Sequence, residues 1–197
     1  LFDSPDQEAV TVSLFHFMAA AREMPTGSFG SNGKTIPMRE YVKQLDLYDM
    51  ERVRMQAMID RNPERELHIE IYETELDAAG LYVNGPLSNQ ASHILRLPFV
   101  YNIAPNNGSF RISAELMKQH PGSWARGNKC LHELFSYLKL NMQPGDTVEL
   151  FSNWVDGQDL LPWDACKTEE LELDLDHFSI GHSFELHAGQ YIAVRKR

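Results

Sequence analysis

Three histidines recur at five-residue steps near the C-terminus, His177, His182 and His187, and Glu185 stands between the last two. Imidazole nitrogen and carboxylate oxygen together form a usual inner shell for zinc or iron. A hairpin turn at Gly181 would set His177 opposite His187 and put Glu185 on their face. These four residues are the candidate metal site, with Zn or Fe as the divalent ion. The spacing matches no metal signature, and histidines on solvent faces of strands need no ligand. The default expectation is therefore that no cofactor is required.

Two thiols offer a second chemistry. Cys130 precedes His132 near the start of an expected helix, where the dipole lowers a thiol pKa. Residues at i and i+2 on a helix point about 200° apart, so His132 is not placed to activate Cys130. A small buried cysteine is the ordinary reading here, and more so for Cys166. Taken with the His177, His182 and His187 set, these thiols define the alternative function, a small metal- or thiol-dependent hydrolase. The string Ser28 to Thr35 matches a phosphate-binding loop except that its first glycine is replaced by Ser28. Met24-Pro25 before it and Ile36-Pro37 after it are poor substitutes for the buried strand and helix start such a loop needs, so a plain loop is expected.

The most legible surface feature is a row of carboxylates, Glu170, Glu172, Asp174 and Asp176, alternating with Leu171, Leu173 and Leu175. In a strand that alternation puts every carboxylate on one face and every leucine on the other. Such a face could steer a basic partner, or simply protect an edge strand from aggregation. Trp154 and Trp163 stand beside loop signals where an aromatic can anchor an interface, and Trp124 has a similar setting. The leading expectation is an acidic, non-enzymatic interaction module of the inhibitor or immunity type. It would bind a basic protein partner through Glu170, Glu172, Asp174 and Asp176 with Trp154 and Trp163. A third reading uses the tryptophan loops to hold a small ligand or carbohydrate.

The elements that must position these residues follow from periodicity. Ser4-Pro5-Asp6-Gln7 reads as a capped helix start and predicts a helix over about 5–23, although Val10, Val12, Leu14 and His16 also fit a strand period. Met24 to Pro37, rich in Gly and Ser, reads as a long loop. Met38 to Arg61 carries apolar residues, from Tyr41 to Ile59, at three- and four-residue steps, which predicts one or two amphipathic helices ended by Asn62-Pro63. Leu67 to Thr74 alternates as a strand, and further strands are expected at Leu81–Val83, Ile94–Ile103 and Phe110–Ile112. Pro98 argues that its strand is an edge or carries a bulge. Ala104-Pro105-Asn106-Asn107-Gly108 reads as the turn that joins the last two of these strands. Leu131, Leu134, Phe135 and Leu138 line one face of a helix over about 128–141, capped by Asn128. The last fifty residues are strand-like, at Thr147–Phe151, Leu171–Leu175, Phe184–Leu186 and Tyr191–Val194. The fold class is α+β, with helices mainly in the N-terminal third and the mid-chain helix at about 128–141. These pack on a largely antiparallel sheet that includes a C-terminal β-meander.

Totals bound the remaining choices. The 197 residues are 43% hydrophobic and 23% charged, and are read as one globular domain, 1–197. No apolar stretch is long enough to cross a bilayer. A formal net charge of −10 repels phosphate backbones and anionic lipid surfaces, so neither nucleic acid nor membrane is an expected partner. Two cysteines are too few for a disulfide framework, which favours reduced thiols and a cytoplasmic address. A cleaved leader is compatible with a first residue other than Met.

Overall fold

The computed structural model describes residues 12–87, 94–156 and 169–197. In chain order its elements begin with strands β1 (Val12–Ala20), β2 (Gly27–Phe29) and β3 (Lys34–Pro37), then helices α1 (Met38–Val42) and α2 (Met50–Arg61). Next come β4 (His68–Ile71), α3 (Glu75–Ala78), β5 (Gly80–Asn84), β6 (Phe99–Asn106) and β7 (Arg111–Ile112). Helices α4 (Ala114–Gln119) and α5 (Pro121–Asn141) precede β8 (Thr147–Asp156), β9 (Glu169–Asp174), β10 (Phe184–Glu185) and β11 (Gln190–Arg195). The fold is α+β with a mainly antiparallel sheet to which the C-terminal strands contribute, as the periodicity predicts.

The chain divides into two compact units, Ser31–Ala78 and the remainder. The smaller unit pairs β3 with β4, His68 facing Pro37 and Ile71 facing Lys34, and packs α1 and α2 around Met38, Val42 and Ile59. Asp49 caps α2 by accepting the Glu51 N–H, and Asn62 ends it. Residues 31–37, expected as part of a long loop, therefore include a strand.

The larger unit is built on a seven-stranded sheet in the order β2-β5-β6-β1-β8-β11-β9. All neighbours are antiparallel except β11 and β9, which run parallel. Strand β10 leaves that sheet and pairs with β7. Alternation sorts the side chains cleanly. Met18, Tyr101, Leu150 and Ile192 join Leu131, Leu134 and Leu138 of α5 in the main core. Phe17, Val100, Phe151 and Tyr191 point the other way and pack with Ile94 and Leu95. On that second face the buried Glu149 accepts the backbone N–H groups of Arg96 and Leu97 at 2.7 and 3.1 Å and the Tyr191 hydroxyl at 2.8 Å. These bonds hold the 94–97 segment against the sheet.

Several local expectations are corrected. The expected helix over 5–23 is overturned at Val12 to Ala20, which form β1 between β6 and β8, while its capping signal lies outside the described residues. A central strand is buried on both faces, so Phe17 to Ala20 read as a continuous apolar run with no visible alternation. Pro98 sits just before β6, which is an inner strand without a proline-imposed edge, and residues 94–98 stay outside the ladder. Helix α5 begins at Pro121, well before Asn128, because Pro at a first helical position needs no N–H partner. Asn107, at φ 44°, makes the expected turn after β6.

Candidate functional site

Strand β9 is one of the two edge strands of the seven-stranded sheet, β2 being the other. Leu171 and Leu173 pack against the α5 side, so Glu170 and Glu172 emerge on the opposite face, as the alternation predicts. The C-terminal strand brings cations to this row. Glu172 pairs with Arg195 at 3.1 Å and Asp174 with Arg197 at 2.9 Å, while Asp176 accepts the Arg197 N–H at 2.9 Å. Trp154, 47% exposed, lies on β8 with Leu150 and Ser152, on the α5 side of the sheet and away from Glu170 and Glu172. Trp163 and Cys166 lie outside the described residues.

The histidines do not converge. His177 bonds Asp174 at 3.0 Å and His187 bonds Glu169 at 2.8 Å, while Glu185 pairs with Arg111 at 3.4 Å. Among the described residues no group of three His, Cys, Asp or Glu side chains is placed to hold a metal ion. The reason is topological: β10 carries Glu185 to a separate two-stranded sheet, so the expected hairpin at Gly181 does not form within one ladder.

Cys130 is not near a helix start but in the middle of α5, fully buried, with its Sγ 3.4 Å from the Asn106 carbonyl oxygen. Burial pushes its thiol pKa up, the opposite of what a nucleophile needs. In the 28–35 string, Gly30 has φ 77° and an added Cβ would lie 2.2 Å from Glu133 Cδ. A carboxylate thus stands over the glycine where a phosphate would have to sit, and Lys34 to Pro37 form a strand instead of opening a helix.

One constellation has only a faint sequence signal, a lone histidine inside the apolar run Leu14 to Ala20. On the α5 side of the sheet, polar residues cross four adjacent strands in one row. His16 is the register partner of Ser152, and Gln190 of Glu169, while the Tyr191 and Phe151 pair sets Gln190 beside Ser152. His16 Nδ1 lies 2.7 Å from Ser152 Oγ, and Gln190 Nε2 donates to Glu169 Oε2 at 3.1 Å. His16 is 8% exposed and Ser152 2%, and burial lowers the His16 pKa to about 4, which keeps the ring neutral near pH 7. The ring stands edge-on to Phe110, with centroids 5.1 Å apart. Above it opens a cleft of about 360 Å³ lined by Leu14, His16, Ile103, Pro105, Phe110 and Leu186. Arg111 and Glu185 also line it, already paired with each other. Ser152 does not reach the cleft and is sealed beneath the ring, so it fixes the imidazole and is not placed as a nucleophile. No known protein family, curated protein or solved structure matches this chain.

Proposed function

We propose that this chain is an acidic, non-enzymatic interaction module that binds a basic protein partner through the carboxylate face of β9, in the manner of an inhibitor or immunity protein. The observation that carries this reading is the position of β9 as an edge strand, with Glu170 and Glu172 exposed on the face turned away from α5. An overall charge of −10 extends that local field and speeds encounter with a cationic surface.

The ion pairs already on this face do not oppose the reading. Glu172 and Arg195 are 60% and 57% exposed, and exposed pairs of this kind contribute about 0–1 kcal/mol each. A partner's arginines or lysines could replace Arg195 at small cost. Trp154 is outside this interface because it faces the other side of the sheet.

Native mass spectrometry of protein purified gently from its source should reveal a one-to-one complex with a basic protein. Its association rate should fall as salt rises. The double variant Glu170→Lys and Glu172→Lys changes only exposed side chains, and should slow association by on the order of tenfold or more. An affinity and rate unchanged by that reversal would remove β9 as the interface.

A further inference from the structure

The cleft over His16 lies on the opposite face of the sheet from Glu170 and Glu172 and has a definable hydrogen-bonding character. Ser152 is almost wholly buried, and its hydroxyl has one partner among the described residues, His16 Nδ1 at 2.7 Å. A buried hydroxyl proton without an acceptor is costly. The arrangement that avoids this has Ser152 O–H donating to Nδ1, which puts the imidazole proton on Nε2. That Nε2 has no partner among the described residues, while its ring lines the cleft. The cleft therefore offers a fixed imidazole N–H donor in a mainly apolar lining that includes Leu14, Ile103, Pro105, Phe110 and Leu186, with Ser13, Asn102 and Ser109 as further polar members.

The chemistry of a matching ligand follows from these walls. The donor calls for an oxygen acceptor. A formal negative charge is disfavoured, because the ring is neutral and the Glu185 carboxylate lines the same cleft beside Arg111. The apolar lining calls for a ring or compact hydrocarbon body, and about 360 Å³ lies within the usual range of small-molecule sites. We propose that this cleft binds a small uncharged molecule that joins an apolar ring to a carbonyl oxygen, the oxygen accepting the His16 Nε2–H.

Nitrogen NMR of the imidazole groups in wild-type protein tests this directly. The free protein should show His16 protonated at Nε2. Benzamide and acetophenone should then shift the His16 Nε2 and Phe110 signals saturably. Toluene, which lacks the acceptor, and benzoate, which carries a charge, should bind more weakly by on the order of tenfold, the worth of one neutral hydrogen bond. His16→Phe keeps the apolar wall and should reduce benzamide affinity to that of toluene. A proton found on Nδ1 would overturn the proposal, as would the absence of a saturable shift with both carbonyl probes. Toluene or benzoate binding as tightly as benzamide would overturn it too. The tautomer and the probe ranking are read on wild-type protein, so the test does not depend on the folding of His16→Phe.

Discussion

His16 shows how a single buried side chain links stability to pH. Its pKa is about 4 in the folded protein against an ordinary value of 6.5, because burial disfavours the charged ring. Well above pH 6.5 the ring is neutral in folded and unfolded chains alike, and His16 contributes no pH dependence. As pH falls from 6.5 to about 4 the unfolded chain takes up a proton that the folded chain refuses, so stability declines; below about 4 the decline levels off. The charged groups beside it, Arg111 and Glu185, are paired with each other and leave this direction unchanged. The loss should reach about 3 kcal/mol across that window. Denaturant melts at pH 7, 6, 5 and 4 should show a slope in wild type that is flatter in His16→Phe, and the His16 ring signals should stay those of a neutral imidazole at pH 5. Equal slopes would mean the ring is more hydrated than its 8% exposure implies. At this scale the sequence made the carboxylate row of β9 readable, because alternation alone decides which side chains share a face. It did not reveal that Arg195 and Arg197 would come to that row, or that Glu169 would take His187 from the expected histidine cluster.

The close seating of α5 against the strand that follows the 106–109 turn depends on a missing side chain. A Cβ at Gly127 would lie 2.6 Å from the Arg111 carbonyl oxygen and 3.1 Å from Ser109 Oγ. The first of these is backbone and cannot swing aside. Alanine is worth about 1 kcal/mol over glycine in an open helix position, but the overlap at residue 127 costs about 1–3 kcal/mol and should prevail. Gly127→Ala should therefore lower the melting temperature. Gly122→Ala on the same helix meets nothing closer than 4.0 Å and should leave stability unchanged or raise it. If both variants behave alike, the close approach is not what holds α5 in place. Elements were legible where one face is wet. The Leu131, Leu134, Phe135 and Leu138 seam marked α5, and the 67–74 alternation contained β4. They were illegible where both faces are dry, as in the Phe17 to Ala20 end of β1, which shows no alternation although β6 and β8 flank it.

At the scale of the molecule, charge governs behaviour more than any one contact. The chain carries −10 at pH 7 and has a sequence pI near 5.2. Self-repulsion that keeps copies apart at neutral pH vanishes near that value. Light scattering against pH should show self-association rising to a maximum close to pH 5.2 and absent at pH 7. His16→Phe should keep that maximum while removing the added destabilisation expected from the buried ring, which separates the two effects. A maximum displaced by more than about one pH unit would mean that local patches and not net charge control association.

The sequence by itself determined what depends on composition and on neighbours along the chain. That includes the acidic charge, the α+β class, the period-two runs at the C-terminus, the amphipathic seam of α5 and the shared face of Glu170 and Glu172 on β9. Such features are local, set by a period of two or of about 3.6 residues. Tertiary structure alone decided which distant residues meet. His16 and Ser152 are separated by 136 positions, and their contact exists because β1 is inserted between β6 and β8 in one register. The same holds for Glu133 over Gly30 and for Glu149 beneath residues 96 and 97. Pairings at such distances leave no periodic trace, because they are selected by the burial of whole strands and not by any property of the residues beside them.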